Sequence, residues 1–306
     1  MAKLNNLTAV ILTKNEEKKL PQCLKSLSFV DRIIVIDDGS TDGTVALAEK
    51  YGAQIWQRRL DDFSSQRNFA LDQVKTEWVL FIDADEEVSL PLAQEISRAI
   101  EEKEFAGYRI ARKNFIFGHF VKHSGWYPDY QLHLFKSKKG SYQEKVHEQV
   151  EVKGKIGQLK NDLIHHNYGT ISDFLSQLQF DLYTGLEAQQ LVTSGYRFDW
   201  SDLLKKPADE FLRRFFAEKG YQDGILGLIL AIFQAFKEFV IYAKVWEIQG
   251  KQEIKNGNLY FLKNLESGIR EKLKEISYWF LSSQIDEEKN PFKKRFLKLK
   301  RKIFSK

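Results

Sequence analysis

Four short apolar runs alternate with helix-patterned segments through the first 90 residues, and this alternation constrains the fold more than any other feature of the chain. "LTAVILT" (7–13), "RIIVIDD" (32–38), "AQIWQR" (53–58) and "EWVLFID" (77–83) each read as a strand. Between them, "NEEKKLPQCLKSL", "TDGTVALAEKY" and "SSQRNFALDQVK" read as helices, and a fourth helix follows from about Leu90 to Glu102. Ser40, Thr41 and Asp42 are the expected caps of the second. Strands that alternate with helices over short connections form a parallel sheet covered on both faces. Ligands of such sheets bind beyond the carboxyl ends of the strands.

Two acidic clusters fall at those ends. "DDGSTDGT" (37–44) closes the second strand, and "DADEE" (83–87) closes the fourth and most apolar one. Side chains two apart on an extended backbone point the same way, so Asp83 and Asp85 are expected to face one site with Ala84 between them. Paired carboxylates repel unless a cation stands between them. The expected occupant is Mg2+ or Mn2+, which with one or two protein carboxylates takes its other ligands from phosphates and water. That pattern implies a diphosphate-bearing ligand. Glu86 and Glu87 read as a solvated turn or as caps of the next helix. Asp38 reads as a carboxylate accepting hydrogen bonds from a nucleoside. No G-x-G-x-x-G follows the first strand and no G-x-x-x-x-G-K-[ST] occurs, which argues against a dinucleotide site and a P-loop.

Residues 107–152 turn β-rich and are expected to complete the same sheet with hairpin or edge strands. After "LIHHNYG" (163–169) the chain reads as helical, giving an expected division into residues 1–169 and 170–306. An apolar helix is expected over 225–246, around the run "ILGLILAIFQAF", whose twelve residues suit a buried or interfacial helix better than a bilayer span. The net charge is +5, yet residues 289–306 hold nine Lys or Arg and no acid, so the remainder carries −4. Within that tail Phe292, Phe296, Leu299 and Ile303 share one helical face, the pattern of an interfacial helix on an anionic membrane surface. The acidic body argues against nucleic acid as the partner. The single cysteine, Cys23, permits no intrachain disulfide and points to a reducing compartment.

Four stretches taken together, "VILTKNEE", "VIDDGSTDGT", "QRNFALDQVKTEWVLFIDADE" and "YPDYQLHLFK…VHEQVE", resemble family 2 glycosyltransferases of the GT-A fold. "LIHHNYGTISDFLSQLQFDLYTGLEAQQL" and "KGYQDGILGLILAIFQAFKEFVIYAKVWE" are similar to the branch that contains bacterial lipopolysaccharide-core glucosyltransferases. The resemblance implies an α/β GT-A domain, a Rossmann-like and mostly parallel sheet with helices on both faces, followed by a helical C-terminal region. It implies inverting transfer from a nucleotide-diphosphate sugar, UDP-hexose by analogy, to a lipid-linked or cell-envelope glycan. Such an enzyme would be cytoplasmic and peripheral on the inner face of the cell membrane.

By matching motif positions, Thr13, Asn15 and Glu16 would line the nucleoside pocket and Asp38 would bind base or ribose. Arg67 would approach the nucleotide, Asp83 would contact ribose or a metal-bound water, and Asp85 would ligate the metal. His165 is the expected histidine ligand, with His166 as its alternative. The general base would be Glu148, in "VHE", with Asp129, in "YPD", as the runner-up. His147 could contact the acceptor, and Trp126 could stack on a sugar or fill a core. The rival readings are a membrane-associated scaffold without turnover, a metal-dependent phosphatase and a nucleotidyltransferase.

Overall fold

The computed structural model describes residues 3–143, 149–175, 177–251 and 258–304. Two compact units emerge. One comprises Met1–Phe120 with Tyr127–Gly169, the other Val121–Trp126 with Thr170–Lys306.

The first unit runs β1 (Leu4–Thr13), α1 (Leu20–Ser26), β2 (Val30–Asp37), α2 (Thr44–Lys50), β3 (Gln54–Gln57), α3 (Phe63–Asp72), β4 (Trp78–Phe81), β5 (Glu86–Val88), α4 (Leu90–Ala99), β6 (Gly107–Ile116), β7 (His119–Phe120), β8 (Asp129–Lys136), β9 (Gly140–Gln143), β10 (Gln149–Val152), β11 (Ile156–Gln158) and β12 (Leu163–His166). The sheet order is β3-β2-β1-β4-β8-β6-β12-β5, with β11 and β7 paired to β6. β3, β2, β1 and β4 are parallel, while β8 is antiparallel to both β4 and β6. β9 and β10 form a separate hairpin rather than joining this sheet.

Strand alternation explains the two layers. Leu7, Ala9, Ile11, Trp78, Leu80 and Ile82 face a core shared with Leu20, Cys23 and Leu24 of α1, Ala48 of α2, and Leu92 and Ile96 of α4. Val10, Ile34, Ile36, Val79 and Phe81 face the opposite side, against Ala70 of α3 and Tyr142 of β9. Each fully buried side chain of this size contributes about 2 kcal/mol of apolar burial. β4 is buried along its whole length, which fixes the position of the carboxylates that follow it.

The second unit is helical: α5 (Ile171–Phe174), α6 (Gln177–Thr193), α7 (Asp202–Leu212), α8 (Gly224–Ile248), α9 (Asn258–Glu287) and α10 (Pro291–Arg301). Ala188, Ile241 and Val245 form the buried seam between α6 and α8. The twelve-residue apolar run belongs to a helix twice its length, because Lys237 and Lys244 of α8 pair with Glu187 and Asp181 of α6 and so do not end the helix. The loop Val121–Trp126 is tied to this unit by Asp223, which accepts from His123 N–H at 2.9 Å and pairs with its Nδ1 at 3.0 Å.

Candidate active site

The loop after β2 is built by its own side chains. Asp37 is fully buried and accepts from the N–H groups of Gly39 and Ser40, each at 2.9 Å, and from Thr13 Oγ1 at 3.3 Å. Gly39 has φ +73°, and a Cβ there would meet the Arg59 guanidinium at 2.8 Å. Asn15, itself left-handed at φ +56°, accepts from Thr41 N–H at 2.8 Å, and its own N–H donates to Ser40 Oγ at 2.8 Å. Ser40 and Thr41 therefore clasp the β1 loop instead of capping α2. Asp42 closes that helix start, accepting from Thr44 N–H at 3.0 Å. Thr13 and Asn15, expected to line a nucleoside pocket, spend their side chains shaping the rim of this loop.

Asp38 pairs with Lys14 at 2.6 Å and accepts from Leu60 N–H at 2.8 Å. Burial works to raise its carboxyl, but Lys14 and the Leu60 N–H hold it below the usual range. Glu16 is half-buried and raised by burial, Lys19 opposing and Asp85, Asp42 and Asp83 adding to the rise. The two acidic clusters thus converge on one electrostatic field at Glu16.

The carboxylates after β4 do not continue the strand. Glu86 N–H donates to the Asp83 carbonyl at 3.0 Å, closing a turn. Asp83 and Asp85 consequently meet different partners, contrary to the extended geometry expected. Asp83 receives two guanidinium groups, Arg67 from α3 at 3.3 Å and Arg112 from β6 at 2.7 Å. Burial opposes its ionisation, yet the two arginines hold it well below the usual carboxylate range. Asp85 faces Lys19 through Oδ2 at 3.1 Å and His165 Nε2 through Oδ1 at 3.5 Å.

Glu86, expected in solvent, has a side chain that is 0% exposed. Its Oε1 accepts from Arg112 Nε at 2.6 Å and its Oε2 from Asp83 N–H at 2.8 Å. Burial raises its carboxyl to about 7 despite Arg112, with Asp83 adding to the rise. Beside it, burial and Arg112 pull the His133 imidazole down to about 3. His133 Nδ1 donates to the Phe81 carbonyl at 2.8 Å, whereas Nε2 lies 3.9 Å from Glu86 Oε1 and has no hydrogen-bond partner among the described residues.

His165 is aimed by the register of β12, where it stands opposite Glu86 of β5 on one side and Asn114 of β6 on the other. Its Nδ1 lies 2.7 Å from Asn114 Oδ1. That oxygen can only accept, so Nδ1 carries a hydrogen and Nε2 points at Asp85. Burial disfavours the imidazolium, but Asp85 and Glu86 outweigh it and the pKa is raised. His166 turns elsewhere, its Nε2 standing 3.4 Å from Glu87 and 3.3 Å from Gln22.

Of the two proposed bases, Asp129 begins β8 opposite Arg112, where Gln131 Nε2 donates to it at 2.7 Å. Glu148 lies outside the described residues, as does His147. β10 opens at Gln149, paired with Gln143, whose carbonyl accepts from Ser64 of α3 at 2.9 Å. Asn68 of α3 exchanges two hydrogen bonds of 2.9 Å with the Tyr142 backbone. The β9–β10 hairpin is therefore stapled through β9 to the helix that carries Arg67. Trp126 lies in the helical unit, with the Arg214 guanidinium 5.6 Å from its ring centre.

Arg112, Lys19 and Asn114 were not singled out by the sequence pattern, and Glu86 was read as solvated or capping. A basic or amide side chain in a strand reads as solvent-facing until the strand order is known, so no sequence signal flags Arg112 or Asn114.

The family model described as "Glycosyl transferase family 2" matches residues 8–159. The lipopolysaccharide core biosynthesis glycosyltransferase LpsC of Rhizobium meliloti (strain 1021) is 31% identical over 249 residues, 79% of this chain and 92% of that protein. The chain belongs to glycosyltransferase family 2. An uncharacterized glycosyltransferase of Rickettsia typhi, RT0209, is 27% identical over 270 residues, covering 81% of this chain and 89% of that one. Among solved structures, S. aureus TarS 1–349 in complex with UDP-GlcNAc shares 14% identity at a TM-score of 0.44, covering 82% of this chain and 93% of that chain. Glucosyl-3-phosphoglycerate synthase from Mycobacterium tuberculosis, with Mn2+, UDP and phosphoglyceric acid, shares 16% at 0.43, over 64% and 81%. As a family 2 glycosyltransferase the chain is a transferase, which sets aside the phosphatase, nucleotidyltransferase and scaffold readings, and its mixed sheet is the GT-A fold.

Proposed function

We propose that this family 2 glycosyltransferase moves a hexose from a nucleoside diphosphate, UDP in our reading, to a hydroxyl of a lipid-linked or cell-envelope glycan, with inversion. The observation that carries the reading is the pairing of Asp85 with an Asn114-oriented His165, next to an Asp83 already neutralised by two arginines.

This arrangement fits a divalent ion. Among the described residues no set of three His, Cys, Asp or Glu side chains converges to hold a metal alone. Two ligands, Asp85 and His165, suit an Mg2+ or Mn2+ ion that completes its shell with phosphate oxygens and water. Such an ion would stabilise negative charge on the departing diphosphate. Asp83, held by Arg67 and Arg112, has its charge compensated within the protein and is suited to a ribose hydroxyl or a metal-bound water. Thr13, Asn15, Glu16 and Asp38 would shape the nucleoside end, and Arg67, paired with Asp83, would approach the nucleotide. Glu148 takes the proton of the acceptor hydroxyl as it attacks the far face of the sugar, and Asp129 is the alternative base.

The acceptor class follows the LpsC relative, whose name states lipopolysaccharide core biosynthesis. The exposed face of α10, Phe292, Phe296 and Leu299, with Ile303 just beyond it, amid the basic tail supports a peripheral position on the anionic inner face of the cell membrane.

The reading is tested by incubating the protein with labelled UDP-, GDP- and dTDP-sugars with Mn2+ or with EDTA. Metal-dependent release of one nucleoside diphosphate, accelerated by envelope glycolipid, is expected. Inertness toward every donor with metal present refutes it.

A further inference from the structure

The basic tail accounts for attraction to an anionic surface, but it leaves the apolar character of α8 unexplained. Of the most apolar stretch of this helix, 22% is buried. One face is used: Gly227, Leu230, Ala231, Ile241, Tyr242 and Val245 are buried. On the other, Ile225, Leu228, Ile232, Phe236 and Phe239 recur every three or four residues and are exposed, Ile225 at 79%. No charged residue occurs from Gly224 to Phe236. A contiguous apolar stripe of this kind marks an interaction surface.

We infer that this stripe sits in the acyl-chain region of an anionic bilayer, with α8 lying along the membrane as a monotopic helix. The inference rests on the membrane reading above and adds a second, non-electrostatic contact to it. Charge selects the occupant. The same compact unit carries α10, whose Phe292, Phe296 and Leu299 are exposed among lysines and arginines. Anionic headgroups above acyl chains satisfy both the cations and the apolar faces. α8 is long and apolar enough to cross a membrane, yet its packing argues for the in-plane position. Ile241 and Val245 are locked against Ala188 of α6, and Lys237 and Lys244 are paired to α6 at 2.7 and 2.6 Å. A crossing helix would have to break this seam and draw those charges into hydrocarbon.

Cosedimentation of the full chain with phosphatidylcholine–phosphatidylglycerol vesicles, at 0.1 M and 1 M NaCl, separates the two contacts because salt screens only the charged one. We expect the wild type to stay bound at 1 M NaCl. The double substitution Ile232→Asp, Phe236→Asp should lower binding at least tenfold at 0.1 M and abolish it at 1 M, with an unchanged circular dichroism spectrum. Lys294→Glu with Lys298→Glu should weaken low-salt binding and leave the salt-resistant part. A fluorophore on Ile232→Cys, selective because Cys23 is buried, should shift blue on vesicles and be quenched by chain-labelled lipid. Complete release at 1 M NaCl with a water-exposed fluorophore overturns the inference while the peripheral reading stands. Absence of vesicle binding at either salt overturns both. Conversion of a dimer to a monomer by the double substitution, with vesicle binding unchanged, overturns it in favour of a second copy of the chain.

Discussion

Glu86→Gln tests whether the carboxylate buried between Arg112 and the Asp83 turn is held in the state the structure dictates. In the native protein burial raises its carboxyl from 4.5 to about 7, against Arg112. A raised folded-state pKa contributes stability that is complete below the unfolded value and lost as pH climbs through the folded one. Between about pH 4.5 and 7 the native state keeps a proton that the unfolded chain has released, so stability falls by about 3 kcal/mol across that window. Glutamine keeps the shape and cannot titrate. It also places an amide N–H2 against one of two donors, Arg112 Nε or Asp83 N–H, at a pH-independent cost of about 1–3 kcal/mol. The assay is urea unfolding in EDTA, without nucleotide, at pH 5, 6, 7 and 8. His165, also raised, loses stability in the same direction above its ordinary value, and because Glu86 adds to that rise the substitution trims this loss too, so both contributions narrow the gap as pH climbs. The variant should be less stable than the wild type at pH 5 and recover most of the gap by pH 8. Parallel stability curves would refute the reasoning, since Glu86 would then be no more protonated in the native state than in the unfolded chain.

Other expected outcomes concern the site itself. Lys19→Met removes the ammonium at Asp85 Oδ2 and should tighten Mn2+ binding to the nucleotide-free protein several-fold, read by paramagnetic resonance of free Mn2+. Asn114→Ala frees the His165 ring and should weaken Mn2+ binding about 10–100-fold, as loss of such a supporting contact generally does. Glu148→Gln should lower kcat by about 10²–10⁴ with UDP affinity intact, and Asp129→Asn should cost far less; the reverse ranking would move the base to β8.

The parallel half of the sheet was legible because β1, β2 and β4 are buried on both faces and read as continuous apolar runs. The site was legible only where its residues are local. Asp83 and Asp85 could be located, but not their separate partners, because the turn after β4 depends on a buried Glu86 that an acidic run disguises as solvated. Arg112 and His165 reach the carboxylates through the order β4-β8-β6-β12-β5, which joins residues far apart in sequence. No periodicity records that order. The apolar run in α8 was visible as composition, whereas its single buried face required the packing of α6 and α7.

The central claim is that Asp85 couples a divalent ion to a nucleotide diphosphate. Calorimetric titration of UDP into wild type and Asp85→Asn, each with Mn2+ and with EDTA, tests it most directly. The account predicts at least tenfold tighter UDP binding with Mn2+ in the wild type and no difference between the two conditions in the variant. Equal UDP affinity with and without metal in the wild type would contradict it.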